Sequence, residues 1–162
     1  MRTAICPGSF DPVTIGHLDI INRASKIFDR VVVAVLHNPR KSAVFTDTER
    51  VEMLESVTGH LPNVEVICHY GLLADLAEDI GANVIVKGLR AVSDFEYEFQ
   101  MALANRKLNP EVETMFLTTS AENMFLSSSV VKQIASFGGD ISSFVPADLC
   151  EKIAKRLGAK ES

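Results

Sequence analysis

The sequence predicts an α/β fold, a doubly wound parallel sheet of five strands, and three features of the chain lead there. Short runs of apolar β-formers alternate with segments of helical period from one end to the other. Two of the runs, residues 2–6 and 30–36, are apolar without alternation, as strands covered on both faces are. Strand, helix and strand in succession require a right-handed crossover between parallel neighbours.

The elements follow in order. After the first strand, a loop leads into a helix whose inner face is carried by Leu18, Ile21, Ala24, Ser25 and Phe28. Residues 30–36 form the second strand, and Thr46 with Glu49 makes a capping box for a helix through about Thr58. Residues 63–68 alternate as a third strand, and a helix over 72–80 is stopped by Gly81. Val84-Ile85-Val86 is the fourth strand. Ser93 with Glu96 predicts a second capping box, opening a helix to about Lys107 that Asn109-Pro110 breaks. Residues 112–118 are the fifth strand. Serines 127–129 cap a helix through about Phe137, Gly138-Gly139 ends it, and Pro146 suits the first turn of a last helix closed by Gly158. No repeat or Pro/Gly-rich linker divides the chain, so residues 1–162 are expected to form one domain.

Composition narrows the partners. Hydrophobic residues make up 47% of the 162 and aromatic ones 7%, an aliphatic globular composition with a real core. A net charge of −5 argues against nucleic acid or an acidic membrane surface, so an anionic ligand must be met by local basic residues. Cys6, Cys68 and Cys150 are odd in number and far apart, which suits neither a disulfide framework nor a zinc site. The sequence shows no signal-like start, and its longest apolar run, residues 31–36, is far too short to cross a bilayer. A cytoplasmic protein without membrane association is expected.

Doubly wound sheets bind ligands beyond the carboxyl ends of their strands. The loops there are 7–16, 37–45, 69–71, 87–93 and 119–128. The first ends in Gly16-His17 at the mouth of a helix, where free N–H groups and the helix dipole favour a phosphate. Gly16 has no Cβ to hold a ligand off the backbone, and His17 adds a side-chain donor. Alone, the pair also fits a turn glycine beside a solvated histidine. The second loop brings Arg40-Lys41, the fourth Lys87-Gly88-Leu89-Arg90 and the fifth Ser127-Ser128-Ser129. Basic side chains, glycines and hydroxyls thus gather at one edge of the sheet, the pattern of a polyanion site.

These residues resemble the nucleotidyltransferase superfamily and, within it, the bacterial phosphopantetheine adenylyltransferases. The resemblance is carried by Pro7-Gly8-Ser9-Phe10-Asp11-Pro12 with Thr14-Ile15-Gly16-His17, by Lys87-Gly88-Leu89-Arg90, and by Ser127-Ser128-Ser129-Val130-Val131-Lys132. It extends over Phe45-Thr46, Glu49-Arg50 and Asp94-Phe95-Glu96-Tyr97-Glu98, and so over essentially the whole chain. It implies a Rossmann-like nucleotidyltransferase fold. The implied reaction moves the adenylyl part of ATP onto 4′-phosphopantetheine, giving dephospho-coenzyme A and pyrophosphate in coenzyme A biosynthesis. The attacking phosphate oxygen is already ionised, so no protein nucleophile is needed, and no Ser/His/Asp or Cys/His signature is present.

By the same resemblance His17 stabilises the transition state at the α-phosphate, and Ser9 and Phe10 hold phosphate and nucleotide. Lys41 is the catalytic cation that meets the pantetheine phosphate, and Lys87 contributes to substrate binding. Gly88, Leu89, Arg90 and Glu98 match ATP contacts. Leu73 matches a contact to the pantetheine arm, at an apolar lip with Leu72. Asn123, Met124, Phe125, Leu126, Ser127, Ser128 and Ser129 match the cradle of the triphosphate. Mg²⁺ is expected as the counter-ion of ATP, held by phosphates and waters rather than by protein carboxylates. The resemblance implies a homohexamer and leaves coenzyme A open as a feedback ligand.

Two positions depart from the family pattern: Lys87 stands where arginine is expected, which loses the bidentate fork on phosphate, and Cys6 stands where an aromatic residue is common. His37, His60 and His69 are read as surface or strand-end residues. The helix at 94–107 carries two apolar stripes, Phe95, Phe99, Ala102 and Leu103, and Tyr97, Met101, Ala104 and Leu108. One can face the sheet, and the other is left for a second subunit or the C-terminal helix. Two other functions remain open from the residues alone. One is transfer of AMP or CMP to nicotinamide mononucleotide or a phosphorylated alcohol; the other is a nucleotide-binding module without catalysis, against which His17 and Lys41 together speak.

Overall fold

A computed structural model of the chain describes residues 1–158, apart from the side chains of Val92 and Ser93. The elements run β1 (Thr3–Gly8), α1 (Ile15–Ile27), β2 (Arg30–Leu36), α2 (Asp47–Thr58), β3 (Val64–His69), α3 (Leu73–Ile80), β4 (Val84–Leu89), α4 (Val92–Leu108) and β5 (Glu113–Thr118). A 3-10 turn (Ala121–Asn123), α5 (Ser128–Ser136) and α6 (Ala147–Gly158) complete the chain. All strand pairs are parallel, in the order β3-β2-β1-β4-β5. The chain therefore builds outward from β1 to β3 and then returns to the other side of β1. That reversal opens a crevice at the carboxyl ends of β1 and β4.

Alternation along each strand feeds two cores. On one face Ala4, Val33 and Val86 pack with Ile21 of α1, Leu54 of α2, Val131 of α5 and Ile153 of α6. On the other face Ile5, Ala34 and Ile85 meet Leu76 and Ala77 of α3 with Val112. Residues 31–35 are wholly buried, which explains why that strand is apolar on both faces.

Three element boundaries differ from the sequence reading, each for a physical reason. Strand β4 continues through Lys87, Gly88 and Leu89, which pair with Phe116, Leu117 and Thr118 of β5, so these residues are strand rather than loop. Helix α1 starts at Ile15 with Thr14 as its N-cap, which places Gly16 and His17 inside its first turn. The expected capping box of Ser93 and Glu96 does not start α4. Only Arg90 and Ala91 separate it from β4, so the helix begins at Val92 with Ala91 in the cap position and no side-chain cap. The Ser93 side chain lies outside the described residues.

Helix α4 packs at the β5 edge, where Phe95 meets Phe116 edge-on at 6.1 Å. Both of its apolar stripes remain exposed, Phe95, Phe99 and Leu103 as well as Tyr97, Met101 and Leu108. Neither stripe is thus fully covered by the sheet. Among the described residues no helix is long and apolar enough to cross a membrane.

Candidate active site

Strand β1 ends at Gly8 and the chain turns through Ser9 and Phe10, whose φ of 50° lies in the left-handed region that few non-glycine residues adopt. The turn sets the Phe10 ring edge-on to His17, centroids 5.0 Å apart. Thr14 then caps α1: its hydroxyl accepts the His17 N–H at 3.3 Å, and its own N–H donates to His17 Nδ1 at 3.0 Å. This is a capping box with histidine where Glu or Gln usually stands. With Nδ1 as acceptor, the proton of the neutral ring sits on Nε2. Burial, and then the charges of Arg90 and Lys87, push the imidazole down from 6.5 to about 4, so it is a neutral donor at neutral pH.

Gly16 is not a turn glycine, since it is absent from the positive-φ positions. A Cβ there would meet nothing in the protein closer than Thr14 Oγ1 at 3.5 Å and Leu126 Cδ2 at 3.6 Å. The space beside it is open, and Gly16 lines the cavity described next. Gly88 differs: a Cβ would lie 2.9 Å from Ile20 Cγ1, so the glycine lets β4 pack on α1.

A cavity of about 770 Å³ opens at the carboxyl ends of β1 and β4. Ser9, Phe10, His17 and Lys41 line it, with Lys87, Gly88, Arg90 and Glu98. Asn123, Leu126 and Ser127, Ser128 and Ser129 complete the wall at the start of α5. Lys87 Nζ pairs with Glu98 at 3.3 Å. Arg90 donates to the Leu126 carbonyl at 2.9 Å and pairs with Asp94 at 3.1 Å, tying the fourth loop to the fifth. Ser127 accepts the Val130 N–H at 3.1 Å as the α5 cap, and Ser128 donates to the Pro12 carbonyl at 2.8 Å. Ser129 is exposed in the wall. The Cys6 thiol, also in the wall, is pushed up to about 12 by burial and offers no thiolate at neutral pH.

Residues 5–134 match the cytidylyltransferase-like family. A phosphopantetheine adenylyltransferase of Alkaliphilus metalliredigens is 56% identical, over 96% of this chain and 99% of its own. One from Caldanaerobacter subterraneus subsp. tengcongensis is 57% identical, over 97% and 98%. The chain belongs to the phosphopantetheine adenylyltransferase family. A crystal structure described as a candidate nicotinate-nucleotide adenylyltransferase from Vibrio parahaemolyticus superposes with a TM-score of 0.71 at 20% identity, over 96% of each chain, and shows the shared fold.

Four family-matched positions lie outside the cavity wall. Leu73 opens α3 and packs against the second core, Leu89 ends β4, and Met124 and Phe125 are exposed, Phe125 edge-on to Phe144 at 5.5 Å. The wall also holds residues that sequence reasoning gave no part. Asp11 is buried and accepts the N–H groups of Val44 and Phe45, each at 2.9 Å, and Lys132 Nζ at 3.2 Å. Arg50, also buried, donates to the Ser9 carbonyl at 2.8 Å and pairs with Asp47. His37, read as a surface residue, is indeed exposed, yet it lines the cavity with its Nδ1 2.9 Å from Asp47 Oδ2. The motifs around Asp11, Arg50 and Lys132 are visible in the sequence, but no local signal joins His37 or Tyr70 to Asp47, because those contacts cross from the ends of β2 and β3 to α2.

The carboxylates of the wall are engaged by protein donors. Asp11 is engaged by two N–H groups and Lys132, Asp47 by Arg50 and His37, and Glu98 by Lys87. Among the described residues no three His, Cys, Asp or Glu side chains converge as a metal cage.

Proposed function

We propose that this chain transfers the adenylyl group of ATP to 4′-phosphopantetheine, giving dephospho-coenzyme A and pyrophosphate. The observation that carries the reading is His17: a neutral ring fixed by Thr14 and set beside the N–H groups of α1, with Lys41, Lys87 and Arg90 around the same cavity. In the reaction a phosphate oxygen of phosphopantetheine attacks the α-phosphorus. The bond from that phosphorus to the bridging oxygen breaks, and pyrophosphate leaves with the electron pair. The attacking oxygen needs no base, so the protein's work is alignment and charge stabilisation. His17 Nε2 donates to a non-bridging α-phosphate oxygen as negative charge gathers there. The first N–H groups of α1 and α5 receive the ATP phosphates, and Lys41 meets the incoming phosphate. Ser9, Phe10, Gly88, Arg90 and Glu98 hold the nucleotide, with Asn123, Leu126, Ser127, Ser128 and Ser129 around its triphosphate. Leu73, Leu89, Met124 and Phe125 take their parts from the family resemblance alone.

MgATP is the substrate form, the ion riding on the phosphates. The two exposed stripes of α4 support assembly into a homohexamer, which sedimentation in solution tests. The acidic net charge suits a cytoplasmic protein acting on small molecules, and coenzyme A, which shares the pantetheine arm, is a candidate feedback ligand.

Pyrophosphate release tests the function. ATP, Mg²⁺ and 4′-phosphopantetheine should support turnover, while CTP as donor or nicotinamide mononucleotide as acceptor should be far slower. Faster turnover with either substitute would reassign the substrate.

A further inference from the structure

The geometry points to a positioning role for His37, which with Asp47 and Tyr70 forms a clasp that sets the backbone presenting Lys41. This deepens the reading above and rests on Lys41 meeting the reacting phosphates.

Lys41 sits in the segment between β2 and α2, and that segment is held on both sides of it. On the far side, Asp11 takes the N–H groups of Val44 and Phe45. On the near side the Asp47 carboxylate collects donors from three elements. His37, just past β2, places Nδ1 2.9 Å from Oδ2; Tyr70, just past β3, donates its hydroxyl to the same oxygen at 2.8 Å; and Arg50 of α2 pairs with Oδ1. The His37 and Tyr70 rings also pack with centroids 4.8 Å apart. Hydrogen bonds from Tyr70 and His37 hold the Asp47 carboxyl below its ordinary range, as expected of a carboxylate serving as a hub.

The clasp reaches Lys41 through a short turn held by two hydrogen bonds to Asn38. The His37 N–H donates to the His69 carbonyl at 3.1 Å, fixing the start. The Asn38 side chain accepts the Arg40 N–H at 2.9 Å, and the Asn38 carbonyl accepts the Lys41 N–H at 3.1 Å. Fixing His37 therefore fixes where Lys41 leaves the backbone. By contrast, the Lys41 ammonium has no hydrogen-bond or ion-pair partner among the described residues, though it lines the cavity. A hydrogen-bonded turn that presents an unpartnered cation suits orientation of a reacting anion.

The same carboxylate joins this segment to the nucleotide side. Arg50, held by Asp47, donates to the Ser9 carbonyl in the turn after β1. Lys41 and the turn before His17 thus share one anchor, which sets their spacing across the cavity.

The experiment measures kcat and both KM values for His37→Ala, His37→Gln, Tyr70→Phe, Lys41→Met and the double variant His37→Ala/Lys41→Met. A misplacement of about 1 Å can cost up to roughly 10²-fold, so a loosened segment should lower kcat of His37→Ala about tenfold, with KM for ATP unchanged. Tyr70→Phe should fall in the same direction and by less. His37→Gln keeps an N–H donor for Asp47 and should recover most of the rate. The double variant should be no slower than Lys41→Met alone, because a side chain that is absent cannot be misplaced.

If the two losses multiply instead, His37 does not act through Lys41 and the clasp is overturned. An intact kcat with a raised KM for phosphopantetheine would make His37 a substrate contact, which also overturns it. If Lys41→Met alone leaves kcat unchanged, the reading of Lys41 fails and takes the clasp with it, a result distinct from the other two.

Discussion

Thr14 donates its backbone N–H to His17 Nδ1 across 3.0 Å, and this bond decides which nitrogen of the ring carries a proton into the cavity. A cap that stabilises the start of α1 is at the same time the device that orients the donor. Protonating the ring would place two donors face to face at Nδ1, which adds to the cost set by burial and by Arg90 and Lys87.

The titration of His17 should follow. In the ligand-free protein its ring titrates near 4, not at 6.5. The unfolded ring takes its proton near 6.5, so between those values the unfolded state binds more protons and stability rises with pH. Above 6.5 this contribution is flat, and below about 4 the whole penalty is present. Ring NMR shifts followed from pH 3 to 8, with chemical denaturation at several points, check this; a His17 transition near 6.5 would contradict it.

Lys87 and Glu98 form a pair within the cavity at 3.3 Å, with side chains 24% and 20% exposed. Lys87→Arg keeps the charge and adds a fork, so it should be tolerated or tighten anion binding. Lys87→Met removes the charge and leaves Glu98 facing polyanionic substrates. It should weaken ATP or phosphopantetheine binding by about 1.5–3 kcal/mol, against about 0.5 kcal/mol or less for a solvated lysine. Calorimetric titration of both ligands decides, and unchanged affinities would remove Lys87 from the site.

Gly16→Ala separates protein strain from ligand approach. The added methyl meets only ordinary contacts at 3.5 Å and 3.6 Å, in a helical first turn, so thermal stability should hold or rise slightly. ATP binding should weaken, because the methyl screens the N–H groups a phosphate must reach. Lower stability with unchanged ATP affinity would return Gly16 to a packing role.

The sequence makes most of this legible where physics is local. Val31 to Val35 announces a strand buried on both faces, Thr46 with Glu49 a helix start, and Gly81 a left-handed stop. What was not legible depends on distant partners. Lys87 looks like the end of an apolar strand, yet β4 continues because β5 pairs with it and Glu98 meets its charge. Ser93 looks like a cap, yet the two-residue connection from β4 starts the helix before it. Asp47 is locally an acidic residue in the first turn of α2, and only the packing of α2 beside β2 and β3 makes it a hub. His17 is legible because strand, glycine and helix mouth are contiguous in the chain; the Thr14 bond that orients it depends on the turn geometry and carries no sequence signal of its own.

The most direct test of the account is His17→Ala, read by kcat together with the equilibrium affinity for ATP. A donor that acts on charge developing at the α-phosphate should cost roughly 10²–10³ in kcat when removed, with ATP affinity little changed. An intact kcat with matching losses in ATP affinity and kcat/KM would contradict it and make His17 a ground-state binding residue.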